Sequence, residues 1–421
     1  MNNILIDDNI IELAKQSDEI LKPYYEEAER ICRLNSKKVL NAFIENRVSY
    51  QDFEEINGYG FFDGGRDKVE KVFAQVLGTE DALVRPHIMS GTNAIYLTLS
   101  GLLHPGDTMI CIAGTPYDPL QEIVGIRGNS KNSLLANGIK YEQIELIGND
   151  FDYDAIEKRV KKGGIKLIEI QRSRGYSHRE GISIAQMEKV CKLIKGIDKD
   201  IIIMIDNCYG ELVEEKEPTE VGADIMAGSL MHNLGGGIAT SGGYIAGKEK
   251  LVYEVAERLT SPGIGKELGA NYNQHIKFMK GLFFAPRTVC NAIKTAIFTS
   301  YMTEKLGFEG VSPKYNQRRS DIVQCFNVRD AKELEVFCGC LQKGSPVDSF
   351  VTPIPSEFPA YPHEEVMAAG NFTLGSTIEM TCDAPVVDPY TVYMQGALTH
   401  EYGKLGVMMA LTLFFRYRNG F

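Results

Sequence analysis

His232 stands alone in a run of small residues, Ala227-Gly228-Ser229-Leu230-Met231-His232-Asn233-Leu234-Gly235-Gly236-Gly237. An imidazole titrates near neutrality, so it can take and return protons there. A satisfied core histidine would look the same in sequence. Upstream, Met89-Ser90-Gly91-Thr92-Asn93-Ala94 reads as a turn opening a helix. Its free N–H groups, with the Ser90 and Thr92 hydroxyls, make an anion site, although such turns also cap helices for purely structural reasons. Asp206 follows the apolar run Ile201–Ile205. A carboxylate so deep needs a cation or donor partner, from a ligand, a helix end or an ion pair. Tyr117, at the start of a helix, can stack on a flat ring or be an ordinary half-buried tyrosine. Gln171 and Arg172 offer a neutral donor/acceptor and a fixed cation, suited to a phenolate or a carboxylate. Arg172 can equally be an ion-pair residue, and Arg319 is the other candidate for a substrate carboxylate. The loop Asn57-Gly58-Tyr59-Gly60-Phe61-Phe62-Asp63-Gly64-Gly65-Arg66 carries four glycines. Tyr59 and Arg66 can close on a phosphate across a dimer interface, against the alternative of a flexible surface loop.

These residues need a frame, and the pattern supplies one. Short β-like runs, Ala82–Arg85, Thr108–Ile112, Lys140–Ile144, Lys166–Ile170, Ile201–Ile205, Asp224–Ala227 and Gly243–Ala246, alternate with helical stretches. The stretches are Thr92–Leu103, Tyr117–Ile126, Tyr153–Lys162 and Ser183–Lys195. Alternation of this kind predicts an α/β fold with a mainly parallel seven-stranded sheet covered on both faces. Such sheets bind ligands at the carboxyl ends of their strands. Ser90, Gln171, Asp206 and Ser229 all fall there. Residues 8–45 read as one or two helices, and 270–304 as a long helical connection. The expected organisation is an N-terminal helical arm (1–60), a large ligand-binding domain (61–285) and a smaller C-terminal α+β domain (286–421).

Composition excludes several classes. The chain has 421 residues, 44% hydrophobic and 24% charged, with net charge −11. That balance is globular and argues against nucleic acid or an anionic membrane as partner. Nine cysteines are scattered without metal-ligand spacing. Reduced thiols, no metal and a cytoplasmic location are expected. Met1 to Lys15 lacks a basic n-region with an apolar core, so no signal peptide is read.

Taken together, the segments resemble the methionine γ-lyase-like family also labelled aluminium resistance proteins, or carbon-sulfur lyases. The matching stretches include Gly58-Tyr59-Gly60, Val84-Arg85-Pro86-His87, Ser90-Gly91-Thr92, Pro116-Tyr117-Asp118, Ile170-Gln171-Arg172-Ser173, Asp206-Asn207-Cys208-Tyr209-Gly210, Gly242-Gly243-Tyr244 and Gly344-Ser345-Pro346-Val347-Asp348-Ser349-Phe350. The resemblance covers nearly the whole chain. It implies the aspartate-aminotransferase-like fold, called fold type I among enzymes that use pyridoxal 5'-phosphate (PLP). It implies that Gly91, Thr92 and Ser229 hold the cofactor phosphate, that Tyr117 stacks on the ring, and that Asp206 meets the pyridine nitrogen. It further implies a homodimer or homotetramer with shared active sites and a sulfur-containing amino acid as substrate.

One departure outweighs the matches. The family carries a lysine, which holds the cofactor aldehyde covalently, where this chain has His232, and usually a proline where it has Leu234. Imidazole has no primary amine and cannot make that bond. Three readings follow. In the first, PLP or pyridoxamine phosphate is held non-covalently and His232 moves protons, as in a small group of PLP-class sugar dehydratases that use histidine at this position. In the second, the chain is a catalytically impaired paralogue that binds the cofactor as a regulatory protein. In the third, His232 was introduced to trap an intermediate, against which Leu234 beside it favours natural divergence.

Overall fold

The computed structural model describes residues 5–61 and 63–420; Met1 and Phe62, quoted above, lie outside them. It divides into two compact units. One is Leu34–Ala285; the other joins the chain up to Arg33 with the chain from Pro286 onward.

The chain begins with one continuous helix, α1 (Asp8–Glu45), with Pro23 inside it. Ile10, Ala14, Leu21, Ala28, Cys32, Val39 and Ala42 recur at three- to seven-residue intervals and are all buried. This stripe serves both units, so α1 is not a body of its own. Asp7 pairs with Arg416, whereas the Asn35 amide donates to the carbonyls of Leu212 and Glu214.

In the Leu34–Ala285 unit, α2 (Gly64–Val76) leads to β1 (Asp81–Arg85), α3 (Gly91–Leu102), β2 (Thr108–Cys111), α4 (Asp118–Val124) and β3 (Lys140–Gln143). A small ribbon follows, β4 (Leu146–Ile147) with β5 (Asp150–Phe151). Then come α5 (Tyr153–Lys161), β6 (Leu167–Gln171), α6 (Ile184–Ile197), β7 (Ile202–Asp206), β8 (Ile225–Ser229), β9 (Gly243–Gly247) and α7 (Glu249–Leu259). The sheet order is β1-β9-β8-β7-β6-β2-β3. The β8-β7-β6-β2-β3 block is parallel, and β9 runs antiparallel between β1 and β8. This is the mainly parallel seven-stranded sheet expected from the sequence.

Strand periodicity explains where the polar ends point. Leu167, Ile202, Met204, Ile225 and Ala227 join Ile95, Leu99, Val252 and Val255 of α3 and α7 in one apolar layer. Successive residues of a strand alternate faces. Gln171, Asp206 and Ser229 share the parity of these layer residues, so they emerge on the α3 face at the carboxyl ends. Register aligns them, since Gln171 pairs with Asp206 and Asp206 with Ala227.

The helix α8 (Gln274–Lys305) leads into the second unit. There β10 (Glu309–Ser312), β11 (Gln324–Asn327), β12 (Glu365–Ala369), β13 (Thr381–Pro385) and β14 (Thr391–Gln395) form an antiparallel sheet in the order β10-β11-β14-β13-β12. Helices α9 (Ala331–Lys343) and α10 (His400–Arg418) accompany it, with Phe308, Phe326, Phe337 and Phe414 packed edge to face and stacked between them. This is the smaller α+β part. Among the described residues, no helix is long and apolar enough to cross a membrane.

Candidate active site

The Ser90-Gly91-Thr92 turn opens α3 on the face where Asp206 and Ser229 emerge. Ser90 is the N-cap, and its hydroxyl accepts from the Asn93 N–H at 3.1 Å. The Gly91 and Thr92 N–H groups have no intrahelical acceptor, and the helix dipole adds positive potential. A Cβ on Gly91 would lie 2.8 Å from Cys208 Sγ and 3.3 Å from Ser229 Cβ. The turn is therefore pressed against the ends of β7 and β8, and only glycine fits. The Ser229 hydroxyl accepts from the Met231 N–H at 3.0 Å, which leaves its own proton to donate. These groups form a cradle for an anion.

Beside the cradle, the Tyr117 hydroxyl donates to Thr92 Oγ1 at 3.0 Å. Gln171 Oε1 accepts from the Tyr117 N–H at 2.9 Å, and its amide donates to the Ser173 carbonyl at 3.0 Å. Gln171 thus fixes the tyrosine, which is half-buried. A cleft of about 410 Å³ flanks Tyr117 and Gln171, with Arg174, Tyr176 and Glu145 also on its walls.

Asp206 is buried and accepts from the Cys208 N–H at 3.1 Å. Burial pushes its carboxyl up to about 6; the Cys208 hydrogen bonds and Arg179 act the other way. A cationic group presented to it would restore the ionised form.

His232 follows β8 and starts a short 3-10 turn, Asn233–Gly235. Its ring stacks on Tyr209 with centroids 4.3 Å apart and planes 15° apart. Nδ1 is enclosed and has no hydrogen-bond partner among the described residues, while the residue as a whole is partly exposed. Burial pushes the imidazole down to about 4. It is neutral at neutral pH, lower than the ordinary value that sequence alone suggests. The loop is held from behind. Asn233 donates to the carbonyls of Tyr209 and Glu211 at 3.1 and 2.8 Å. Gly236, at φ +55, lies where a Cβ would come 2.4 Å from the Gly281 carbonyl. The triple glycine therefore packs against α8. No lysine occurs between Lys216 and Lys248. Lys216 is exposed and Lys248 pairs with Asp224 at 2.7 Å.

Other sequence candidates are placed differently. Arg172 is fully buried; it donates to Asn207 Oδ1 at 2.8 Å and pairs with Glu214 at 3.3 Å and Glu217 at 3.7 Å. That commitment corrects its reading as a substrate ligand, because an ion so enclosed cannot leave its partners cheaply. Arg66 is buried too. It donates to the Gly58 and Gly60 carbonyls at 3.1 and 3.0 Å and so shapes its own loop. Tyr59 is exposed. Arg319 is buried in the other unit, where it donates to the Val323, Ala296 and Pro313 carbonyls and to Gln324.

Two residues at the site had no role in the sequence reading. Glu211 accepts from the Tyr244 hydroxyl at 2.8 Å, and burial pushes it up to about 8. Glu169, beside Cys111, is likewise pushed up to about 8 by burial. Glu169 shares the strand parity of Gln171, which was the available signal. Glu211 sits in a loop, without a pattern to reveal it.

The Gly91 turn, the half-buried Tyr117, the buried Asp206 carboxyl and the His232 imidazole lie at the carboxyl ends of a sheet whose fold is that of the fold type I enzymes. The methionine gamma-lyase family model matches residues 10–415. The chain belongs to the methionine gamma-lyase family. It is 41% identical over 389 residues to the uncharacterized protein YnbB of Bacillus subtilis (strain 168), covering 92% of each. It superposes on a candidate cystathionine beta-lyase involved in aluminum resistance from Clostridium acetobutylicum with TM-score 0.93 and 43% identity, over 97% of this chain and 96% of that one. The carbon-sulfur lyase involved in aluminum resistance from Clostridium novyi NT gives TM-score 0.92 and 42% identity over the same shares. A more distant likeness, TM-score 0.60 at 14% identity, to the pyridoxal-5'-phosphate dependent protein YhfS of Escherichia coli concerns the fold alone; it covers 90% of this chain and 94% of that one.

The residues fit PLP. The Gly91 cradle suits a phosphate, and the buried Asp206 carboxyl suits a protonated ring nitrogen. His232, in the loop after β8, has no amine with which to bond an aldehyde.

Proposed function

We propose that this chain holds PLP, or pyridoxamine phosphate, without a covalent link and acts as a carbon-sulfur lyase on a sulfur-containing amino acid of the cystathionine, cysteine or methionine class. The observation that carries this reading is the convergence of Gly91, Thr92, Ser229 and Asp206 around a loop whose histidine is neutral and has an enclosed Nδ1. When bound, the cofactor supplies an electron sink next to the substrate Cα.

The protein's residues do the rest. Gly91 and Thr92 N–H groups and the Ser229 hydroxyl bind the phosphate. Asp206, ionised, keeps the ring nitrogen protonated. Tyr117, fixed by Gln171 and Thr92, would help hold the ring. His232, sealed at Nδ1, takes the substrate proton at Nε2 and returns it to the leaving side. Tyr59 is exposed, as a contribution to a neighbouring subunit requires, and a homodimer or homotetramer belongs to this reading.

The test is an absorbance spectrum of purified protein with added PLP, followed by dialysis, borohydride treatment and turnover of cystathionine, cysteine and methionine. Reversible cofactor, no reductive fixation and measurable elimination support the proposal. A cofactor fixed to a lysine sinks it. Reversible cofactor with no turnover selects the second reading, a cofactor-binding regulatory protein. The Tyr209 stack favours that reading to the extent that it immobilises the imidazole.

A further inference from the structure

We propose that Glu29, Cys32 and Cys290 form a site for a thiophilic metal ion, of the zinc or cadmium kind, between α1 and α8. One carboxylate oxygen and two sulfurs lie within 4.8 Å of one another, in a single compact unit. Glu29 and Cys32 are three residues apart on α1, so helical spacing stacks them on one stripe. Cys290 faces them from α8. Both thiols are buried, at 3% and 4% exposure, and they are hydrogen-bond neighbours. That contact, with burial behind it, holds the Cys290 thiol above its usual range.

The third ligand is prepared. Arg287 Nη1 donates to both Glu29 oxygens at 2.8 Å, and Lys294 reaches one of them at 3.3 Å. Arg287 Nη1 also approaches Cys290 Sγ at 3.9 Å. Glu29 is therefore held in place before any ion arrives. The two cations also offset the charge of a carboxylate and two thiolates around one dication.

Binding proceeds without electron transfer. The dication enters, both sulfur–metal bonds form, and two thiol protons leave to water. Two sulfurs select zinc-like ions over magnesium or calcium. Three protein ligands leave the fourth tetrahedral position to water. The ion would clamp the middle of α1 to α8.

The probe is Cd²⁺ added to chelator-stripped protein. The expected result is uptake of a single ion with an ultraviolet thiolate-to-cadmium band. Cys32→Ser and Cys290→Ser should abolish the band. Glu29→Gln should keep it while weakening affinity by at least the roughly 10–100-fold typical of losing an outer partner. Cys338→Ser should change nothing, although Cys338 and Cys382 lie 3.6 Å apart, because no third ligand joins them among the described residues. A band that survives Cys32→Ser, or no uptake, overturns the proposal. Should the variants fold poorly, a cadmium-soaked crystal of the unaltered protein decides. Anomalous density among the three residues supports the site; its absence there, or a Cys32–Cys290 disulfide, overturns it.

Discussion

The imidazole of His232 lies nearly parallel to the ring of Tyr209, 4.3 Å from it. Tyr209 reaches that position with φ +68, a left-handed conformation that side chains other than glycine's rarely adopt. The strain is sustained by Asn233, which clamps the Tyr209 carbonyl. The stack covers one imidazole face, and Nδ1 is enclosed.

Burial holds His232 at about 4, so its titration should report the stack directly. Imidazole NMR of cofactor-free protein should place it well below the ordinary 6.5. Tyr209→Leu should move it up, as water reaches the ring. A titration unmoved by Tyr209→Leu would assign the depression to the rest of the pocket.

The same depression has a stability consequence with a definite sign. Between about 4 and 6.5 the unfolded chain binds a proton at His232 that the folded chain does not. Stability therefore rises with pH across this window and is lost as pH falls through it. His400, in the other unit, is also pushed down to about 4 by burial and adds to the slope. Denaturant unfolding of His232→Leu between pH 4 and 7 should show a flatter profile than the parent. An unchanged slope would mean that His232 stays protonated in the fold.

Asp206 should control cofactor affinity. Removing one partner of a buried charge pair costs about 3–5 kcal/mol, or two orders of magnitude and more in binding. Asp206→Ala should weaken PLP binding by that factor while the far-ultraviolet dichroism stays the same. Equal affinity in parent and variant would return Asp206 to a purely structural role.

Much of this frame was legible in the sequence. The run Ile201–Ile205 predicts β7, which the structure sets at Ile202–Asp206, and that placement puts Asp206 on the cradle's face. Thr92–Leu103 predicts α3, observed as Gly91–Leu102. Local periodicity carries such elements. It carries no information on partners distant in sequence. Arg172 finds Glu214 and Glu217, more than forty residues on, and so becomes internal rather than a substrate ligand. The antiparallel insertion of β9 between β1 and β8 is a crossover choice that no short run encodes. Nor does any pattern announce Tyr209's left-handed backbone, which a tertiary clamp imposes.

Arg172 offers a test of that correction. Arg172→Met leaves Glu214 and Glu217 buried with an uncompensated charge, a loss of about 3–5 kcal/mol. The denaturation midpoint should fall sharply, while PLP affinity of the folded fraction is retained. A variant of parental stability with selectively weakened substrate binding would restore the substrate reading.

Gly91 tests the cradle through sterics alone. In Gly91→Ala the new methyl would stand 2.8 Å from Cys208 Sγ and 3.3 Å from Ser229 Cβ. The turn must lift away from β7 and β8, which moves its N–H groups off the anion. Affinity for PLP and for inorganic phosphate should fall together, since both need the same donors. Adding Cys208→Ala removes the closer clash and should recover part of the loss. Recovery for phosphate but not for PLP would mean that Cys208 itself touches the ring. Unchanged affinity in Gly91→Ala would place the phosphate elsewhere.

The loop histidine separates enzyme from binding protein. His232→Lys presents a primary amine at the position where the resemblance to the family places one. Desolvation in this pocket lowers a lysine's pKa and makes it nucleophilic. Borohydride should then fix PLP to residue 232, as it should not in the parent. His232→Ala asks the converse. A working proton carrier contributes roughly 10²–10⁴-fold, so alanine should lower elimination by that factor at saturating PLP. The pH profile gives the second readout. The neutral imidazole is the active form, so parental activity should fall only as pH drops toward its low titration point, and alanine should abolish that limb. If alanine leaves both rate and profile intact, the imidazole fills space against Tyr209, and the proton passes through another group.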